Sequence, residues 1–229
     1  MSAAADFPLA RLRFWGTTVG KKAVMAVTGF ILFGFIVAHL LGNLQIYEPP
    51  EKINHYSEML RSVPSLLWGA RITLLISVLL HIWASFVLWR LQRAARPVPY
   101  VKKSNLHSTY ASRTMTWSGP IILAFVIYHL LNFTFGTVHP GGPFDEHNVY
   151  NNVVTGFQFW PSSVFYIIAM TMLCYHLYHG LWSMFQSLGF SYLVYTSWIR
   201  QSAKVVAIVI AAGYISIPVS VLAGFIKLV

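Results

Sequence analysis

The sequence predicts an all-α, polytopic membrane protein: a bundle of five transmembrane helices with its N-terminus in the cytoplasm. Three observations predict it. The chain is 56% hydrophobic and only 10% charged, whereas a soluble domain is typically about 25% charged. Its mean hydropathy is +0.60. Its apolar residues gather into five stretches, each near the roughly 20 residues that a helix needs to cross a bilayer. The connections are too short to fold alone, so residues 1–229 read as a single transmembrane domain.

The first span is expected over 23–43, after Lys21 and Lys22 and ending at Gly42 and Asn43. The second, 66–90, follows Pro64 and ends at Arg90 and Arg93. The third, 114–136, begins after Arg113, with Pro120 in its first two turns, where a break in the ladder is tolerable. The fourth, 162–187, follows Pro161, a residue suited to a first helical turn. The fifth, 203–226, holds Pro218 and is expected to bend there. Residues 1–20 lack the apolar run of a cleavable signal peptide, so none is expected.

Charge sets the expected orientation. The N-terminal tail, the loop from Arg90 to Arg113, and the stretch with Arg200 and Lys204 hold twelve of the 16 Lys and Arg. The opposite side carries Glu48, Glu51, Glu58, Asp145 and Glu146, five of the six acids. Basic loops stay in the cytoplasm. Trp15, Trp68, Trp117, Trp160 and Trp198 lie near span ends, as in an aromatic belt. The net charge of +10 follows from this asymmetry and does not imply a nucleic-acid partner. The single cysteine, Cys174, excludes an internal disulfide, a CxxC metal site and a cysteine-held iron–sulfur cluster in this chain.

Four of the five spans carry a histidine: His39, His81, His129 and His176. Ionisable groups at membrane depth are rare and usually functional. Counted from the cytoplasmic ends at 1.5 Å per residue, His39 lies about 24 Å deep and His129 about 22 Å. His81 lies about 14 Å deep and His176 about 16 Å. The depths sort the four into an outer pair, His39 with His129, and an inner pair, His81 with His176. Each pair suits the two axial positions of a haem iron, a ligation that passes electrons and leaves no open site. Gly34, Ala38 and Gly42 near His39, and Gly180 near His176, would admit the macrocycle. Depth does not separate His176 from His179, which lies one turn on and on nearly the same face. The competing reading is a haem-free transporter or packing role for these rings, although no intramembrane Asp or Glu accompanies them. His55, His107, His139 and His147 fall in connections and are expected to be solvated.

The fourth-span run CYHLYHGLWSMFQSLG, Cys174 to Gly189, resembles the dihaem cytochrome b anchor of succinate dehydrogenases and fumarate reductases. So do Gly29 to Gln45, with Ala38, His39, Gly42, Asn43 and Gln45, and the outer stretch Asn54 to Glu58. The resemblance implies two haems b, with His39 and His129 on the outer one and His81 and His176 on the inner, leaving His179 a neighbour. It implies a flavoprotein and an iron–sulfur partner on the cytoplasmic face, which carry FAD and the clusters and perform the succinate chemistry. It implies electron exchange with a quinone, usually menaquinone in dihaem members, and a place in a bacterial plasma membrane. Glu58, with Tyr56, Gln45 and Asn43, is the candidate outer quinone site, and a solvated carboxylate or a helix cap is the plain alternative. Lys21, Lys22 and Arg113 are candidates for haem propionates or an inner quinone, against simple interface anchoring. A cytochrome b anchor for another redox module is a further alternative. The residues do not separate succinate oxidation from fumarate reduction.

Overall fold

The computed structural model describes residues 16–96, 98, 108–190 and 195–229. Trp15, His107, and the basic residues Arg11, Arg13, Lys102 and Lys103 lie outside the described residues. All regular structure described is helical, in the order α1 (Thr18–Asn43), a 3-10 turn (Leu44–Tyr47), α2 (Pro50–Arg61), α3 (Pro64–Ala94), α4 (Tyr110–Phe133), α5 (Val149–Gln158), α6 (Trp160–Ser187) and α7 (Thr196–Leu222). Of these, α1, α3, α4, α6 and α7 are long and apolar enough to cross a membrane. The chain is a multi-pass helical membrane protein.

The helix ends follow local chemistry. Thr17 and Thr109 cap α1 and α4, their hydroxyls accepting from the amides of Gly20 and Ser112 at 2.9 and 3.1 Å. Pro50, Pro64 and Pro161 stand in the first turns of α2, α3 and α6, where no amide proton is needed. Two expected spans run too far. The third stops at Phe133 rather than 136, because Gly136 turns the chain at φ +66°. The fifth stops at Leu222, and Gly224 at φ +75° ends it. Helix α4 also starts earlier than expected, so Pro120 sits in its third turn rather than near its entry.

The spans do not pack equally. Helix α6 packs on α7, α4 and α1, and α1 packs on α3. One apolar cluster joins Leu40, Ala169, Met170, Leu173, Leu177, Ala207 and Ile210 across α1, α6 and α7. The second cluster sits at the end of the bundle that carries α2 and α5, here the distal end, and includes Ile46, Ile53, Val153, Val154, Phe157, Tyr166 and Ile217. Helix α5 was not expected. It lies under the distal end with Val154 fully buried, so this connection is a packed element rather than a loose loop. Helix α2 was not expected either, and it joins α5 through Asn54, whose Oδ1 accepts from the Tyr150 amide at 3.0 Å.

Candidate functional site

The structure brings the span histidines together in two pairs. The rings of His39 and His129 have centroids 5.7 Å apart and stand nearly perpendicular, at 86°. Those of His81 and His176 are 6.3 Å apart at 54°. Metal–imidazole bonds are about 2.0 Å long, so two rings on opposite faces of one metal have centroids about 6 Å apart. Both pairs match that distance. His176, not His179, is the ring opposite His81.

The spacing along the bundle is the same on two helices. Thr28 of α1 touches His81, and His39 lies eleven residues further along α1. Ser118 of α4 touches His176, and His129 lies eleven residues further along α4. At 1.5 Å per residue the two pairs are about 16 Å apart along the bundle. The helices of each pair are not close-packed neighbours. Among the described elements α3 packs on α1 and α2, and neither α1 with α4 nor α3 with α6 forms a principal packing contact. The facing rings therefore bridge helices whose backbones stay apart, as a group inserted between them requires.

Small residues bound both clefts. The buried face of α3 is Ser77 and Ala84, which bracket His81 at four residues before and three after. Gly29 of α1 sits against the His81 ring, and a Cβ there would lie 3.3 Å from its Cε1. Space beside Gly34 and Gly180 is open to 4 Å. Gly42 differs from expectation: a Cβ there would lie 2.8 Å from the Tyr56 ring, so tyrosine fills the notch that was assigned to a macrocycle.

Hydrogen bonds orient the rings. Thr28 donates its hydroxyl proton to the Val24 carbonyl at 2.7 Å. Its oxygen, 3.2 Å from His81 Nδ1, can then only accept. His81 is thereby held with its proton on Nδ1 and a bare Nε2, the tautomer that binds a metal. His176 Nδ1 lies 3.4 Å from the buried Ser118 hydroxyl, and His129 Nδ1 lies 3.2 Å from the Tyr166 hydroxyl. His39 stacks on Phe35 at 5.1 Å. The residues present fit a planar metal macrocycle between each pair: ring separation and separated backbones agree for both, and His81 of one pair also has a pre-set tautomer.

The expected quinone residues are less concentrated. Asn43 donates to the His39 carbonyl at 2.7 Å and so closes the end of α1. Tyr56 lies over Gly42, within one turn of His39. Gln45 is half-buried in the 3-10 turn. Glu58 is exposed on α2, two residues from Tyr56 and so on another face of that helix. At the opposite end, Lys21 donates to the Gly16 carbonyl at 2.9 Å and Arg113 to the Ser108 carbonyl at 2.9 Å, both at the starts of their own helices. Lys22 is exposed.

Sequence reasoning missed several members of this site. His139 was expected to be solvated. Instead its Nδ1 lies 2.9 Å from Asn132 Oδ1 and its Nε2 lies 3.0 Å from the Thr155 hydroxyl. Burial behind Phe133, Phe144 and Gly156 pushes its pKa below the usual histidine value. Thr28, Ser118 and Tyr166 meet the histidines across 37 or more positions of sequence, while Asn132 meets His139 across seven and Tyr166 across 34. The fully buried Asn132 inside an apolar span was the one visible signal.

The family model of the succinate dehydrogenase/fumarate reductase transmembrane subunit matches residues 90–217. That stretch contains His129, His139, His176 and His179. No curated protein and no solved structure matches the chain.

Proposed function

This chain belongs to the family of succinate dehydrogenase/fumarate reductase transmembrane subunits, and from that premise we propose that it is a dihaem cytochrome b anchor that relays electrons between an iron–sulfur partner and a membrane quinone. The observation that carries the reading is the pairing of four histidines from four spans, His39 with His129 and His81 with His176, at the separation of axial ligands. Haem held between each pair supplies one-electron transfer. Thr28 holds His81 in the metal-binding tautomer, Ser118 touches His176, and Tyr166 touches His129. All four rings are half-buried within the apolar spans.

The inner pair lies toward the end that carries Lys21, Arg113 and Arg200, where the cytoplasmic flavoprotein and iron–sulfur subunits dock in this reading. FAD, clusters and succinate chemistry reside in those partners. The outer pair faces a quinone site at the distal end, where Tyr56 lines the first-span side, Asn43 and Gln45 offer amides, and Glu58 presents an exposed carboxylate. Menaquinone is the quinone proposed, and a bacterial plasma membrane the location. Lys21, Lys22 and Arg113 remain propionate or inner-quinone candidates.

The purified protein is expected to contain two haems b per chain by pyridine haemochrome assay and to co-purify with a flavoprotein and an iron–sulfur protein. A haem-free preparation that folds normally overturns the reading in favour of a transporter or packing role. Haem with a different redox partner assigns the chain to another module.

One outer-shell variant follows directly. Thr28→Val keeps the side-chain shape and removes the hydroxyl acceptor for His81 Nδ1–H, leaving the Met25 backbone as the ring's remaining hydrogen-bond partner. Loss of such a partner weakens ligand basicity and typically lowers metal affinity about 10–100-fold. The inner haem midpoint is expected to rise, because a poorer donor favours the reduced iron, while the outer midpoint stays in place. Thr28→Ser is expected to restore the wild-type value in the same redox titration.

A further inference from the structure

A buried polar chain leads from the outer histidine pair to the distal surface, and the dihaem reading does not by itself account for it. His129 Nδ1 lies 3.2 Å from the Tyr166 hydroxyl. Asn132, fully buried, places its amide nitrogen 3.5 Å from that hydroxyl and its oxygen 2.9 Å from His139 Nδ1. His139 Nε2 lies 3.0 Å from the Thr155 hydroxyl, which donates to the Asn151 carbonyl at 2.8 Å. We propose that Tyr166, Asn132 and His139 are positioning residues for His129, and that the protonation state of His139 sets which end of the Asn132 amide faces Tyr166 and so the hydrogen bond that holds His129. This inference rests on the reading of His129 as an outer haem ligand.

Proton counting carries it. Thr155 spends its only hydroxyl proton on Asn151, so it accepts from His139, and His139 Nε2 keeps a proton. The neutral form of His139 then has a bare Nδ1. In that form Nδ1 accepts a hydrogen bond from the Asn132 amide nitrogen, with the amide turned over from the arrangement seen in the structure so that its oxygen faces Tyr166. Tyr166 donates to that oxygen, and its own oxygen accepts from His129 Nδ1–H. Protonated His139 instead donates from Nδ1 to the Asn132 oxygen. The amide nitrogen now points at Tyr166 and competes for its oxygen, and the hydroxyl proton loses its acceptor. The two arrangements have the same outline and differ by an amide flip. An amide does not readily relay protons, so the chain transmits orientation and charge rather than conducting protons.

The surroundings favour His139 as the variable member. The groups facing it are Asn132 and Phe133 from α4, Thr155 and Gly156 from α5, and Phe144 from the loop. None of these carries a charge. Asp145, the neighbouring carboxylate on the loop, accepts from the His147 amide at 2.9 Å. His139 is only partly buried and can exchange with outer water. The direction of coupling follows. Protonation of His139 adds positive charge and weakens the acceptor behind His129, and both effects favour an electron at the outer site. One electron arriving there is accompanied by uptake of at most one proton from outer water at His139, and no other bond changes.

The test is a redox titration of both haems in the intact complex between about pH 5 and 8, the range in which a histidine changes charge. The outer midpoint is expected to fall as pH rises. His139→Gln, which keeps a hydrogen-bonding side chain but does not titrate, is expected to lose at least half of that slope while the inner haem is unaffected. Tyr166→Phe is expected to keep both haems and raise the outer midpoint at every pH. A wild-type slope in His139→Gln, or an unmoved outer midpoint in Tyr166→Phe, overturns the inference. Survival of the outer haem in His129→Ala overturns the ligand reading itself, so the two failures are distinct.

Discussion

Replacing His81 with alanine is expected to remove the inner haem and leave the outer one, so that the haem content falls by half. His81 is the better constrained of the inner pair: Gly29 admits its ring, Ser77 and Ala84 bracket it, and Thr28 fixes its proton. The truncation leaves His176 facing a void rather than a second ligand. Electron transfer from the partner subunits to quinone is expected to fall by at least about 100-fold, the upper range for loss of an outer-shell partner alone. Succinate-dependent reduction of a soluble dye by the same complex is expected to persist, because that chemistry lies in other chains. His176→Ala should reproduce the result, and His179→Ala should keep both haems. Loss of the inner haem in His179→Ala with retention in His176→Ala would reverse the assignment.

The second large effect is one of stability. Gly141 adopts φ +106°, a region that side chains rarely enter, and a Cβ there would lie 2.5 Å from the Thr155 carbonyl oxygen. Gly141→Ala therefore combines backbone strain of about 1–3 kcal/mol with overpacking of about 1–3 kcal/mol. The clash is with backbone, so a rotamer change does not relieve it. The loop must leave α5, and Thr155 then loses its register with His139. The melting temperature is expected to drop on the order of 10 °C. Gly142→Ala is the matched control, with nothing within 4 Å of the added carbon, and is expected to melt like the wild type. Equal melting of the two variants would remove the argument.

These residues also mark where the chain could be read without its structure. The spans were legible because a bilayer imposes one strong condition, about 20 apolar residues, and all five stretches meet it. The histidine pairs were legible because a helix converts position directly into depth. Helices α2 and α5 were not, because neither is apolar enough to span and their short runs, Pro50–Arg61 and Val149–Gln158, derive order from packing on each other, α2 also on α3 and α5 also on α6 and α7. The outer shell was not legible for a related reason. Thr28 and Ser118 look like ordinary small polar residues until α3 and α6 bring His81 and His176 beside them. His139 looked solvated because its partners, Asn132 and Thr155, come from two helices and one of those was unforeseen.

The eleven-residue spacing shared by α1 and α4 has an electrical consequence. A separation of about 16 Å is roughly half of the 30 Å hydrocarbon thickness. In the dihaem reading, an electron moving between the pairs would therefore cross about half of any voltage held across the bilayer. A full crossing is worth about 2.3 kcal/mol per 100 mV, so this step is biased by roughly 1.2 kcal/mol per 100 mV. That is close to an eight-fold change in how the electron is shared between the two sites. In the dihaem reading, the eleven-residue offset from Thr28 to His39 and from Ser118 to His129 would make the relay a voltage-responsive element, with a sensitivity set by helix geometry rather than by any charged side chain.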